Sequence, residues 1–480
     1  MKAALRATTV LASGSAVTVV VGIVSAKAWA LLVGPPGMGR LALLQGMVGL
    51  GGIVAGVGLN SALVQMGASA RGRGDEATVA ASRVAAQRLT LALAACAAVL
   101  AVVFRVPLAR WLLAGEQHAG AAALMGLAVG FTLLANTQTG VLNAHHRVGA
   151  LARTAVLTSA LGGALSVAVL WIWRERGIAW AVVGPALVGW LVATWIARRE
   201  VGPAGHAPPA AVRRATRGLF AFGVPHMAGS LVGSGVQFAL PMLVLAQLGA
   251  DGVGFFRAAW TLAIGYLGFL VTAMGQDYYP RASAAGPGEL EALVNQQLRL
   301  VTLLGGAVIV VAQVATPYVL PLLYAPSFAP AAEILGWQWL GSLVKLWGWA
   351  LGLVVLARLG SRTYFVGELV GGASLLAGSV LGMRWLGLEG LGAGFLLTQL
   401  LYAAVVWALV RRGTGIALAP RTWGLMAGAF GVLAGLRLIS GLGLGAAGLA
   451  VMLLLGAAAV ACHGWILWRE FKHPDVVLSS

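Results

Sequence analysis

The chain has 480 residues, of which 60% are hydrophobic and 10% charged, and its mean hydropathy is +0.90, a composition that excludes a soluble globular domain. The formal charge of +18 suggests nucleic acid, but the basic residues sit in short connections between apolar segments and alternate by side, which excludes that reading. No loop is long enough to fold as a soluble domain, so any chemistry belongs at membrane depth.

Apolar segments of the length a membrane span needs, roughly 17 to 25 residues, fall at 8–33, 40–66, 87–104, 119–143, 152–173, 178–197, 219–247, 254–280, 297–323, 331–357, 362–383, 388–410, 422–438 and 446–468. Lys2 and Arg6 ahead of the first segment, with Ala26-Lys27-Ala28 inside it, imitate a cleaved secretory signal. The run is longer than a signal core, so it reads as a retained helix. With the N-terminus inside, twenty-two basic residues fall in cytoplasmic connections and eight at outer ends, which predicts both termini in the cytoplasm. Trp171, Trp173, Trp195, Trp423, Trp465 and Trp468 lie near span ends as an aromatic belt.

Self-comparison at an offset of 215 aligns Gly14, Ser15, Gly34, Gly37 and Gly39 with Gly229, Ser230, Gly249, Gly252 and Gly254. Each copy reads as helix, short outer turn, helix. The fold class expected is an all-α polytopic membrane protein of about fourteen helices. Two six-helix lobes, at 1–199 and 219–412, are related by a pseudo-twofold along the membrane normal with a cavity between them. The stretch 200–218, with Pro203, Pro208 and Pro209, is the interlobe linker, and 413–480 adds two helices and a tail.

Several chemistries are missing. None of the four lysines precedes Ser or Thr, as a phosphate-wrapping Walker loop requires, and there is no HExxH. Cys96 and Cys462 fall within apolar helices without metal-ligand spacing and read as inert core. No cofactor, metal or catalytic residue is expected. The N-lobe acids Asp75, Glu76, Glu116, Glu175 and Glu200 all lie in connections, which argues against a cation-coupled antiporter using an N-lobe carboxylate.

What remains is a small set of polar groups inside spans. Lys345 lies about 14 residues from the outer start of its helix, roughly 21 Å deep, where an ammonium costs about 2.5 to 3.5 kcal/mol and usually meets an anion. It reads either as a cationic ligand site or as the partner of Glu368 on the next helix. Gln338, seven residues earlier, shares its face, and Trp337 and Gly341 lie close to that stripe. Lys27, near the outer end of the first helix, suits a cavity or a snorkelling anchor equally. Arg40 and Arg257 begin the second and eighth helices and would line an outer mouth or anchor at the interface. Gln45, Asn60, Asn136, Gln138, Asn143, Gln237 and Gln399 offer amides for glycan hydroxyls or for a neighbouring helix. Glu368 and Asp277 are candidates for proton linkage or ion pairing.

Gly34-Pro35-x-Gly37 followed by Gln45 resembles the first turn and second helix of the Wzx-type O-antigen translocases of the multidrug/oligosaccharidyl-lipid/polysaccharide (MOP) exporter superfamily. The run Trp337-Gln338-x-x-Gly341-x-x-x-Lys345, then Arg362-x-Tyr364-x-x-x-Glu368, is similar to helices 10 and 11 of the enterobacterial common antigen branch, as is Lys27 seven residues before Gly34. Two departures stand out: helices 13 and 14 exceed the twelve of that branch, and Gln45 replaces a basic residue. The resemblance implies a flippase that moves undecaprenyl-diphosphate-linked oligosaccharide repeat units, O-antigen or a related surface polysaccharide, from the inner to the outer leaflet of the bacterial inner membrane. On that reading Lys345 and Lys27, with Arg40 and Arg257, face the diphosphate, and Gln338, Trp337, Gln45, Asn60 and Gln138 face the glycan. The partners are the lipid-linked glycan, the bilayer and a candidate polysaccharide polymerase or chain-length machinery, with no nucleic acid. Two alternatives stay open: a multidrug exporter on the same fold, and a membrane-embedded glycan polymerase or ligase.

Overall fold

The computed structural model describes residues 2–472 except 114, 204, 206, 266, 443 and 444, so the tail beyond 472 lies outside the described residues. The helices are α1 (Lys2–Gly56), α2 (Leu59–Gly72), α3 (Glu76–Val103), α4 (Arg105–Leu113), α5 (Ala119–Ala144), α6 (Val148–Trp173), α7 (Trp180–Val201) and α8 (Pro209–Trp260). They continue as α9 (Leu267–Ala284), α10 (Pro287–Leu323), α11 (Ala331–Val354), α12 (Ser361–Leu386), α13 (Glu389–Thr414), α14 (Pro420–Gly441) and α15 (Gly445–Lys472). No strand occurs among the described residues.

Twelve helical stretches among them are long and apolar enough to cross a membrane, against fourteen segments expected. The difference has a local cause. The first two segments run together in α1 and α2, and the seventh and eighth in α8 and α9, because each pair is joined by a single broken residue and not by a loop. The breaks are Gly34 (φ 62°, ψ −171°) and Gly249 (φ 70°, ψ −172°), a backbone that glycine adopts without a Cβ penalty. After Gly34 the helix restarts on Pro35 and Pro36, which lack the N–H groups a first turn would leave unpaired.

The two breaks stand at the 215-residue offset, and the backbone around them repeats. A Cβ added to Gly39 would lie 2.0 Å from the Ala250 carbonyl oxygen, and one added to Gly254 would lie 2.1 Å from the Pro35 carbonyl oxygen. Under the offset Pro35 corresponds to Ala250 and Gly39 to Gly254, so the two turns meet reciprocally. The repeat is therefore structural at these turns.

Two compact units are present, residues 1–254 with 323–325 and residues 255–322 with 326–480. In the first, Leu59, Leu63, Ala81, Ala85, Val141 and Leu219 build a core from α2, α3, α5 and α8. The α3 N-terminus is capped by Asp75, whose carboxylate accepts from the Thr78 N–H at 2.9 Å. Arg83, buried in the same helix, donates to the Gly202 carbonyl at 2.7 Å and the Pro203 carbonyl at 3.3 Å, tying the end of α7 and the chain after it to α3. The Thr90 and Thr137 hydroxyls bond each other at 2.7 Å between α3 and α5, which satisfies both away from water.

The second unit is organised around α11. Of the apolar window in 331–359, 72% is buried, against 11% for α12, so α11 is core and α12 a surface helix. Its indoles are anchored: Trp339 donates to Thr316 at 3.0 Å and Trp347 to Thr302 at 2.9 Å, both on α10. The chain between α13 and α14 is clamped by buried Asn295, whose Oδ1 accepts from the Ala419 N–H and Thr422 hydroxyl, each at 2.8 Å. The Asn295 amide donates in turn to the Glu291 and Ala417 carbonyls at 3.0 and 3.1 Å.

One expectation fails outright. Cys96 and Cys462 are free thiols but exposed, not core. Membrane-spanning helices are apolar on every face, so an apolar position in the sequence does not predict burial in protein. Trp171, Trp173, Trp195, Trp423, Trp465 and Trp468 all lie on the helix surface, where a belt requires them.

Candidate functional site

Lys345 is half-buried in α11, seven residues after fully buried Gln338. Its ammonium lies 6.0 Å from the Trp260 ring centroid, at the edge of cation–π range. Trp260 is held in turn by Phe395 of α13, edge-on at 5.8 Å. Phe395 fits there because residue 341 is glycine: a Cβ at Gly341 would stand 2.5 Å from the Phe395 ring. The Gly341 of the motif therefore admits the aromatic that positions the neighbour of Lys345.

Glu368 of α12 lies close enough to Lys345 to act on it electrostatically. The two form no direct ion pair among the described residues. The carboxylate is occupied elsewhere: the Tyr402 hydroxyl donates to Glu368 Oε1 at 2.5 Å, with Tyr364 one turn earlier on α12. Tyr402 is fixed by two glycines. A Cβ at Gly348 of α11 would lie 2.9 Å from one edge of its ring, and a Cβ at Gly371 of α12 would lie 2.7 Å from the other. The ring thus stands in a slot between α11 and α12 and delivers its hydroxyl to the carboxylate. Lys345, Glu368, Tyr364, Tyr402 and Trp260 form one cluster on α8, α11, α12 and α13. Sequence reasoning missed Tyr402 and Trp260. The glycines that make room for Tyr402 are visible in the sequence, but nothing in it says which ring fills the slot.

The other candidates are dispersed. Trp337, half-buried, donates its indole N–H to Glu389 at 2.6 Å, and the Arg437 guanidinium lies 5.1 Å over its ring while pairing with Glu389. Trp337 therefore belongs to an Arg437–Glu389 cluster contributed by α11, α13 and α14. Both amide atoms of Gln338 lack a partner among the described residues, an unusual state for a group with 0% exposure. In the first unit, Lys27 and Gln45 are half-buried on α1. Arg40 pairs with Glu175 at 2.8 Å, which ties the start of the second expected span to the turn 174–177. Asn60 is exposed on α2 and Gln138 half-buried on α5. Arg257 is exposed at the end of α8, and Asp277 is exposed on α9 and paired with Arg281 one turn on, at 3.1 Å. Asn60 belongs to the first unit, and Gln338 with Lys345 to the second.

Residues 4–285 match the family described as "Polysaccharide biosynthesis protein". The chain is similar to proteins named "Lipid III flippase" from Escherichia coli (strain K12) and Shigella flexneri, each 22% identical over 74% of this chain and 86% of the relative. Among solved structures, an inward-facing multidrug resistance MATE family transporter of the MOP superfamily aligns with a TM-score of 0.65 and 17% identity. That alignment covers 85% of this chain and 95% of the transporter. The lipid II flippase MurJ, in an inward closed conformation, aligns with a TM-score of 0.64 and 11% identity, covering 96% of this chain and 99% of MurJ. At these identities the structural matches establish the fold: the chain has the MOP transporter architecture.

Proposed function

The chain belongs to the polysaccharide biosynthesis protein family, and on that premise we propose that it is a flippase for undecaprenyl-diphosphate-linked oligosaccharide repeat units, O-antigen or a related surface glycan. The observation that carries the reading is Lys345. An ammonium at membrane depth, held beside Trp260 while the Glu368 carboxylate is engaged by the Tyr402 hydroxyl, is a cation ready for an anionic headgroup. A diphosphate supplies that anion. The name shared by the two relatives supports the substrate class, and the MOP architecture supports transport by alternating access.

In this proposal the diphosphate is held by Lys345, with Lys27 as the second cation, and Arg40 and Arg257 act at the entrance. The glycan meets the amides of Gln338, Gln45, Asn60 and Gln138, with Trp337 beside them. Helices in 1–199 and 219–412 act as two lobes, joined by 200–218, with the helices of 413–480 appended. The protein resides in the bacterial inner membrane with both termini cytoplasmic, a topology supported by the asymmetry of the basic residues. Glu368 is the acid proposed for proton linkage, and Asp277 the second; the rate of transport down a fixed substrate gradient in vesicles then varies with pH, and a flat pH profile sinks that part.

The test is mass spectrometry of lipid-linked glycans, sorted by leaflet, in cells depleted of the protein and rescued with wild type or Lys345→Ala. Accumulation on the cytoplasmic side that only wild type clears supports both the substrate and the site. Drug sensitivity without accumulation moves the reading to multidrug export on the same fold.

A further inference from the structure

A third helix break lies in the first unit, and nothing in the composition of the chain announces it. Between α1 and α2 the chain passes through Val57 at φ 46° and Gly58 at φ 65°. A β-branched residue in the left-handed region is a genuine outlier. The two residues stand roughly 25 Å along the span that starts at residue 40, at 1.5 Å per residue. Non-helical backbone at such depth persists where it is buried in protein or lines a hydrated cavity. Both conditions are met. On one side the break is pressed against α8: a Cβ at Gly223 would lie 2.2 Å from the Val57 carbonyl oxygen. On the other side it opens into a cavity of about 140 Å³.

The lining of that cavity defines its ligand. Its polar residues include Asn60, Ser61, Asn136, Thr137, His226 and Ser230, and among the described residues it is lined by no lysine, arginine or carboxylate. A permanently charged group would find none of these to pair with there. Ser61 and the His226 Nε2 bond each other at 2.8 Å across α2 and α8, which aligns two groups at the wall. The side-chain amides of Asn60 and Asn136, both on exposed residues, make no hydrogen bond among the described residues and remain available. Leu93 and Leu133 add apolar lining beside such donors and acceptors. Amides and hydroxyls set beside aliphatic side chains suit a ring that carries hydroxyls on its rim and C–H groups on its face, and the volume is that of a single ring.

We propose that this cavity is a sugar subsite, taking one uncharged pyranose through Asn60, Asn136 and the Ser61–His226 pair. It rests on the flippase reading for the source of the sugar, the glycan of the lipid-linked substrate. The break in the second span is then the device that turns Asn60 and Ser61 toward the ring.

The test uses binding in addition to transport. In full-length protein carrying Cys96→Ala and Cys462→Ala, Ser230→Cys is labelled with a water-soluble maleimide, with and without millimolar oligosaccharide released by mild acid from the host's own lipid-linked glycan. Labelling slows about threefold or more with the sugar, and Asn60→Leu or Asn136→Leu abolishes the slowing, as removal of a polar partner requires. Should a leucine variant fail to insert, Asn60→Ser and Asn136→Ser, which shorten the reach of the group and keep it polar, give the same loss. Labelling that ignores the sugar, or protection that survives both substitutions, overturns the subsite. Reconstituted wild type is assayed in parallel for movement of the intact lipid-linked glycan. Protection without movement refutes the flippase reading and leaves the sugar site standing, and movement without protection refutes the subsite alone.

Discussion

Tyr402→Phe isolates the arrangement that keeps Lys345 available. The ring slot between Gly348 and Gly371 accepts phenylalanine unchanged, so the substitution removes only the hydroxyl that donates to Glu368 at 2.5 Å. A hydrogen bond to a charged group contributes about 1.5 to 3 kcal/mol. The low end applies here because Glu368 is exposed on its helix. Losing about 1.5 kcal/mol frees the carboxylate to swing toward Lys345, which already feels its charge, and shifts that balance by about tenfold. A lysine paired internally competes with the anion it should bind, so the apparent affinity for lipid diphosphate falls by up to about tenfold. Glu368→Gln in the same chain removes the competing charge and restores affinity. The assay is concentration-dependent binding or flipping of lipid-linked glycan in proteoliposomes, with insertion checked by size-exclusion chromatography. Wild-type affinity in Tyr402→Phe, or a double variant no better than the single, refutes the reasoning.

Further predictions concern the site and the packing. Lys345→Ala abolishes clearance of cytoplasmic-leaflet glycan while inserting normally, and Lys345→Arg retains part of the activity, both measured in the rescue assay. Gly39→Ala places a methyl where only 2.0 Å separates it from the Ala250 carbonyl, so the turns must part at a cost of about 1 to 3 kcal/mol. Gly49→Ala meets nothing within 4 Å and is neutral; melting temperatures of the two variants in detergent separate the cases. Asn295→Leu removes three hydrogen bonds that hold the connection between α13 and the start of α14. At about 1 kcal/mol each, their loss exposes residues 415–420 to limited proteolysis that wild type resists.

The Gly34 and Gly249 turns were legible in the sequence because glycine at a repeated spacing marks a backbone requirement that no partner can alter. The helix count was legible less cleanly, since a one-residue break and a short loop look alike in a hydropathy pattern. Lys345 and Glu368 stood out because charge is rare in these spans. The tyrosine bonding of Glu368 did not, because it depends on which ring fills the space between Gly348 and Gly371, residues on two different helices. The commitment of Trp337 to Glu389 and Arg437 was equally hidden, being created when α14 packs against α11 and α13. Val57 gave no warning either: valine is not a helix breaker, and its left-handed backbone shows only where the chain packs closely against Gly223.

The reciprocal contact of the two glycine turns has the geometry of an isologous interface, the kind a twofold homodimer forms when one patch meets its own copy. Residue 39 reaches 250 while 254 reaches 35, as two identical chains would do across a symmetry axis. A half-length chain with one such turn would already carry both sides of the joint. Fusion of two copies then preserves the contact without inventing a new surface, and each turn constrains how far the other can drift in sequence.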